Sequence, residues 1–354
     1  MKLPNINIAF STQASNSIAR SERGVVAIIV RDANAGGEHI LTSPAQIPAT
    51  LGVNNKNYIE RAFLGYMNPP RKVIVYVLPA DAANLTAALD YLRTQTFDYL
   101  VGPTDISTAE CTAVVNWIKA QREAGFTPKT VLPDTAGNHE AIINFTTSGI
   151  TDGLIDFTAA EYCSRIAGII AGTPLTISCT YAALPEVADV DRLTKDDMDT
   201  AVNAGKFIVF YDGEKVKVGR GVNSLQTLTD DKGESFKKIK TVETIDMIRK
   251  DIKQTAQDNY IGKYANSYDN KCLLISAIKK YFMSLEDEGI LASGTSIVEI
   301  DLEAQEAYLK SINKDTSNMT EQEIKTAVTA DKVFLRANIT ILDAIEDIDL
   351  NITI

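Results

Sequence analysis

The sequence predicts two architectures in one chain: an α/β part with a mainly parallel sheet, then an α+β part, with a strand at each end. Three observations lead there. From about residue 24 to 230, near-continuous apolar runs alternate with amphipathic stretches, the pattern of strands covered on both faces by crossover helices. From about 231 the apolar positions recur at three- and four-residue spacing over long stretches, as on helices buried along one side. The first and last residues alternate apolar with polar, which is strand periodicity.

In order, residues 5–10 place Ile6, Ile8 and Phe10 on one side and Asn5, Asn7 and Ala9 on the other. The small polar run 11–17 reads as a flexible linker. A strand ahead of a flexible linker has no obvious partner nearby; an edge strand of its own domain is the alternative. Residues 25–30 form a fully apolar strand, 72–78 and 97–101 two more, and 130–132 a short one before Pro133. Between them, 82–93 and 108–124 read as helices, the second stopped by Gly125; 159–170 is a third. Asp212-Gly213 between 207–211 and 215–218 is a hairpin signal, because the tight turn needs residues that tolerate positive φ.

In the last third, Val242, Ile245, Ile248 and Ile252 mark one helix face, and Ile275, Ile278, Phe282 and Leu285 another that Gly289 ends. Residues 296–302 read as a strand, and Thr320 with Glu323 as the capping box of a short helix. Two strand-like runs finish the chain, 333–342 and 348–354. The last sets Ile348, Leu350, Ile352 and Ile354 against Asp349, Asn351 and Thr353.

Composition narrows the function. Of 354 residues, 45% are hydrophobic and 23% charged, which suits a folded chain with a sizeable core. Thirty-five bases against 46 acids leave a formal charge of −11, a poor match to nucleic acid or to an anionic membrane. The apolar stretches at 25–30 and 166–177 are too short or too broken to span a bilayer. The opening residues lack the apolar core of a signal peptide, so secretion is not expected. Cys111, Cys163, Cys179 and Cys272 form no C-x-x-C pair and read as reduced, mostly buried thiols of a cytosolic product.

Motifs for chemistry are missing where a doubly wound sheet would carry them. Gly219-Arg220-Gly221 runs into Val222-Asn223-Ser224 without the third glycine of a dinucleotide loop. Gly205-Lys206 and Gly262-Lys263 lack the upstream glycine of a phosphate loop. His39 and His139 are the only histidines, and neither has a zinc partner at ligand spacing; both read as surface loop residues. No G-x-S-x-G elbow is present. The acids Glu186, Asp189, Asp191, Asp196, Asp197 and Asp199 lack the calcium-loop alternation and read as a solvated connector and a helix N-terminus. The expectation is therefore no catalytic residue, no metal ligand and no cofactor. Residues 232–253 carry seven bases against four acids. They suit an acidic surface of another protein or a sister subunit, or a solvated helix face.

The stretch 217–291 resembles the C-terminal region of contractile tail sheath proteins. The residues that carry it are Val218-Gly219-Arg220-Gly221-Val222-Asn223-Ser224-Leu225, Phe236-Lys237-Lys238-Ile239-Lys240-Thr241-Val242-Glu243, Asp246-Met247-Ile248-Arg249-Lys250-Asp251-Ile252, Asp258-Asn259-Tyr260-Ile261-Gly262-Lys263 and Tyr268-Asp269-Asn270-Lys271. The opening P-x-I-x-I-x-F and Arg23-Gly24-Val25-Val26-Ala27 are similar to the family too. The middle α/β region is similar more loosely.

The resemblance implies a non-enzymatic subunit of a phage tail or of a headless R-type bacteriocin particle. It polymerises as stacked rings around an inner tube and contracts to drive the tube through a bacterial envelope. Its layout would be an N-terminal arm and linker (1–20), an outer α/β domain (21–230), the inner α+β domain shared by the family (231–342) and a C-terminal arm (343–354). The arms, through Ile6, Ile8, Phe10, Ile348, Leu350 and Ile352, would exchange strands between subunits. Lys279 or Lys280 would meet acidic residues of the inner tube; a plain surface helix with charges for solubility is the alternative. The partners would be further copies, the tube, baseplate and tail terminator proteins, with no nucleic acid and no membrane insertion. The particle would be built in the bacterial cytoplasm and released by lysis. The short chain suits the compact sheath of such small tails. A small-molecule enzyme on the α/β part and a static filament subunit are the alternatives.

Overall fold

The computed structural model describes residues 18–20 and 23–353. The expected strand 5–10, with Ile6, Ile8 and Phe10, lies outside them. The described chain gathers into two compact units: 23–248 with 343–353, and 18–20 with 249–342. Residues 231–248, assigned above to the inner domain, thus pack with the α/β unit.

The first unit begins with β1 (Val25–Asp32), β2 (Gly37–Leu41), α1 (Val53–Phe63) and β3 (Lys72–Pro79). It continues with α2 (Thr86–Leu92), β4 (Tyr99–Val101), α3 (Thr108–Glu123), β5 (Lys129–Pro133) and β6 (Ile142–Phe145). A small hairpin, β7 (Ile150–Thr151) with β8 (Asp156–Phe157), leads to α4 (Ala159–Ala171) and α5 (Lys195–Asn203). Then come β9 (Lys206–Phe207), β10 (Val209–Tyr211) and β11 (Val216–Val218). Seven strands form one sheet in the order β2-β3-β1-β4-β5-β6-β9. Only the β2–β3 pair is antiparallel; the others run parallel.

Strand β1 is apolar from Val25 to Val30 because it lies inside the sheet with a helical layer on each face. Val26, Ile28 and Val30 share a core with Tyr58 and Ile59 of α1 and Ile166 and Ile170 of α4. Ala27 and Ile29 point the other way, against Leu89 and Leu92 of α2 and Val114 and Ile118 of α3. Alternation along one strand therefore feeds two separate cores.

Several expectations are corrected. The helix expected at 82–93 begins at Thr86, because Asn84 Oδ1 accepts from the Thr86 amide and offers the backbone a turn instead. The strand expected at 207–211 is two: Phe207 pairs with β6, while β10 forms a hairpin with β11 through Asp212-Gly213. Thr147 Oγ1 takes the Val209 amide at 2.8 Å where the chain bends. His39 is not in a loop; it pairs with Val75 on edge strand β2 and is half-buried. His139 is also half-buried, with Nδ1 accepting from the Ala141 amide at 3.1 Å.

Helix α6 (Ile239–Asn259) carries the chain from the first unit into the second. The second unit continues with α7 (Tyr268–Asp287), β12 (Ile297–Ile300), α8 (Leu302–Ser311), α9 (Glu321–Thr326) and β13 (Leu335–Asn338). The strand expected to reach residue 302 stops early because Asp301 caps α8, accepting from the Ala304 amide at 2.9 Å. Of the run 333–342, only Leu335–Asn338 joins a ladder, and Ile341 adds a single bridge to Leu291.

Candidate assembly interface

The C-terminal segment is anchored at its root and bare beyond it. Glu346 accepts from Arg220 Nε at 2.7 Å and from Thr180 Oγ1 at 2.6 Å. Asp347 accepts from Arg220 Nη2 at 2.6 Å, and Lys238 pairs with Asp343. From Ile348 on, residues 348–353 join no ladder among the described residues. Ile345, Ile348, Leu350 and Ile352 are 87%, 79%, 75% and 76% exposed. Soluble chains rarely leave such a row uncovered unless something else covers it.

The second unit holds a two-stranded sheet, β12 with β13. Val298 and Ile300 face inward and are buried, while Arg336 Nε on the other face reaches Glu299 at 2.7 Å. A pair of strands with no further neighbour among the described residues has open outer edges. Its unused amides and carbonyls are a template for added strands.

Helix α7 buries Ile278, Phe282 and Leu285 and leaves Lys279 and Lys280 exposed. Ile275 of the expected stripe is half-buried. Neither lysine forms an ion pair among the described residues. Arg20 contacts Glu288 at 3.2 Å and Asp251 at 3.8 Å.

In the first unit, a buried charge network fixes the first half of α6 to the sheet; no single motif announced it in sequence. Lys129 Nζ on β5 lies 2.9 Å from Glu243 and 3.1 Å from Asp246, three and six residues after Lys240 on the same helix. Arg122 grips both oxygens of Asp246 at 2.9 Å. Arg23 Nη2 and the Tyr99 hydroxyl donate to Glu243 at 2.7 and 2.6 Å. Burial pushes the Glu243 carboxyl up, but Lys129 and Arg23 outweigh it and hold it at about 2. Burial likewise works to discharge Lys129, and the two carboxylates keep its pKa above the ordinary value. Such a network penalises any rotation of this half-helix that separates the partners.

Two helix N-termini of the α/β unit, where an anion could sit, are already filled. At α3, Glu110 accepts from the Ser107 amide at 2.9 Å; at α4, Glu161 accepts from the Thr158 amide at 2.8 Å. Each N-terminus thus carries its own carboxylate where a phosphate would sit. A cavity of about 270 Å³ opens beside them, lined by Cys111, Asp134 and Thr135. Burial raises the Cys111 thiol above its ordinary range, away from nucleophilic use. No group of three or more metal-ligating side chains occurs among the described residues.

The exposed C-terminal row and the open sheet edges are features that suit a subunit joined to others. The family follows from comparison. Residues 79–224 match the phage tail sheath protein central domain and 231–354 the phage tail sheath C-terminal domain. The chain is 41% identical over 356 residues to the tail sheath protein of Clostridium phage phiCD119, covering 99% of each. Its fold is similar to the helical sheath of the anti-feeding prophage in the contracted state, with a TM-score of 0.72 at 17% identity over 100% and 99% of the two chains. It is also similar to a sheath tail protein of Desulfitobacterium hafniense, with a TM-score of 0.67 at 17% identity over 83% and 94%. The chain belongs to the phage tail sheath family, whose members are structural subunits.

Proposed function

We propose that this chain polymerises as stacked rings around an inner tube and contracts to drive that tube through a bacterial envelope. Its arms exchange strands with neighbouring copies: Ile6, Ile8 and Phe10 at one end, Ile348, Leu350 and Ile352 at the other. The α/β unit lies outward and Lys279 and Lys280 face the tube. The tail also meets baseplate and terminator proteins, assembles in the cytoplasm and leaves with the particle on lysis.

The observation that carries this reading is the exposed row at Ile348, Leu350 and Ile352, in a chain that also holds a two-stranded sheet with open edges. Strand addition satisfies both through backbone hydrogen bonds. Each such bond contributes about 1 kcal/mol net, so a short arm holds weakly alone, and a closed mesh of many copies holds firmly. Electron microscopy of the purified protein and of particles tests it. Hollow sleeves in a long and a short form are expected. Monodisperse globules would restore the enzyme alternative, and one filament length under every condition the static one.

A further inference from the structure

The Gly219-Arg220-Gly221 turn, which fails as a phosphate loop, contacts the C-terminal segment instead. Both glycines are closely packed. A Cβ on Gly219 would stand 2.9 Å from Ile208 Cγ1, and one on Gly221 would stand 3.0 Å from Cys179 Sγ. The turn is therefore pressed against Ile208 and Cys179, and Arg220 projects from a packed base. Beside it, Thr180 Oγ1 accepts from the Gly221 amide at 3.0 Å and donates to Glu346 at 2.6 Å. The next residue, Tyr181, holds a φ of 58°, a conformation that non-glycine residues adopt only when their surroundings impose it. Its amide donates to Val218 O at 3.1 Å and its ring leans on Phe210 at 5.8 Å. Arg220 divides its guanidinium between Glu346 and Asp347, and Lys238 holds Asp343 four residues ahead of that contact.

We infer that this turn is the anchor of the C-terminal arm: Arg220, Thr180 and Lys238 pin residues 343–347 to the α/β unit, so that exchange begins at Ile348. Arg220 is a positioning residue. It fixes where the arm leaves the body, which decides whether the arm arrives in register at a second copy of this chain. The inference rests on the arm reading above and deepens it. Ionic pins suit the task because they hold a defined geometry while staying partly hydrated.

The test uses the full chain with Arg220→Ala, Arg220→Lys and, independently, Thr180→Val. Hydrogen exchange is read over residues 343–347 and 25–32, and sheath by sedimentation. Arg220→Ala should speed exchange at 343–347 by about tenfold, from the loss of charge-assisted hydrogen bonds. It should leave 25–32 protected and lower the yield of sheath. Arg220→Lys should restore part of both effects, and Thr180→Val should reproduce them in weaker form. Unchanged exchange at 343–347 in both Arg220→Ala and Thr180→Val overturns the anchor, as does normal sheath yield from a chain whose 343–347 segment has loosened. Deleting residues 349–354 separates the two readings. If that truncation still polymerises, the arm reading fails, whereas the exchange effect of Arg220→Ala stands or falls independently.

Discussion

Glu243 is held by Arg23, Tyr99 and Lys129, so its removal leaves Lys129 buried with Asp246 as its remaining ion-pair partner. Breaking a buried ion pair from one side costs about 3–5 kcal/mol. Glu243→Ala should therefore lower the stability of the first unit by an amount of that order near pH 7, measured by thermal unfolding. The pH dependence has a defined sign. The folded carboxyl sits at about 2, below its ordinary 4.5, so its contribution is present above pH 4.5 and fades as pH falls toward 2. A stability difference that stays constant from pH 6 to 2.5 would contradict the network. His139 works in the same direction over a higher pH range. Burial, with Arg122 and Lys232 nearby, outweighs Glu140 and holds its pKa at about 4, below the ordinary 6.5. The unfolded chain then binds the extra proton first, so stability declines as pH falls from 6.5 to 4. His139→Gln should flatten that decline, and His39→Gln with His139→Gln together should leave assembly intact, since neither has a catalytic task. Loss of assembly in a well-folded double variant would contradict this.

Strands and helices were readable where one physical demand governs a segment. The fully apolar 25–30 could only be a strand covered twice, and Thr320 with Glu323 formed the expected capping box. Edge strand β2 went unread because Gly37, Glu38 and His39 answer to solvent on one side as well as to β3. Helix α1 was missed because Asn54, Asn55 and Asn57 dilute its pattern. The charge network was out of reach, since Arg23, Arg122, Lys129 and Glu243 meet only through the sheet topology. The C-terminal segment is the informative case: its alternation was plain, yet it makes no strand within the described chain, because a strand needs a second edge. Deleting residues 349–354, or 1–11, should leave a folded subunit with an unchanged circular dichroism spectrum that cannot form sheath. A truncated chain that polymerises like the full one would remove the arms from the account. On α7, Lys279→Glu with Lys280→Glu should reduce the tube-bound, extended particles and favour tube-free or contracted ones, most strongly at low salt. An unchanged ratio of the two forms across salt concentrations would place the tube contact elsewhere.

For the molecule as a whole, charge sets two opposite demands. Each copy carries −11, so copies repel while they gather into a polymer, and the repulsion reaches about 30 Å at 0.01 M ionic strength but only about 8 Å at 0.15 M. Arms that exchange strands, as proposed above, would act at contact range through backbone hydrogen bonds, which salt hardly weakens. Raising ionic strength over this interval should therefore speed self-assembly of the free subunit, read as a shorter lag in light scattering. A tube contact through Lys279 and Lys280 is an exposed ionic one, contributing about 0–1 kcal/mol per pair, and the same salt should loosen it. The two effects separate in one titration: sheath forming without tube should increase with salt, while the fraction of tube enclosed in extended sheath should fall. If both quantities move in the same direction, either net repulsion does not limit assembly or the tube is not held by charge. Repeating the titration with the Lys279→Glu, Lys280→Glu chain tells these apart, because that chain should keep the salt-accelerated assembly and lose the salt-sensitive grip.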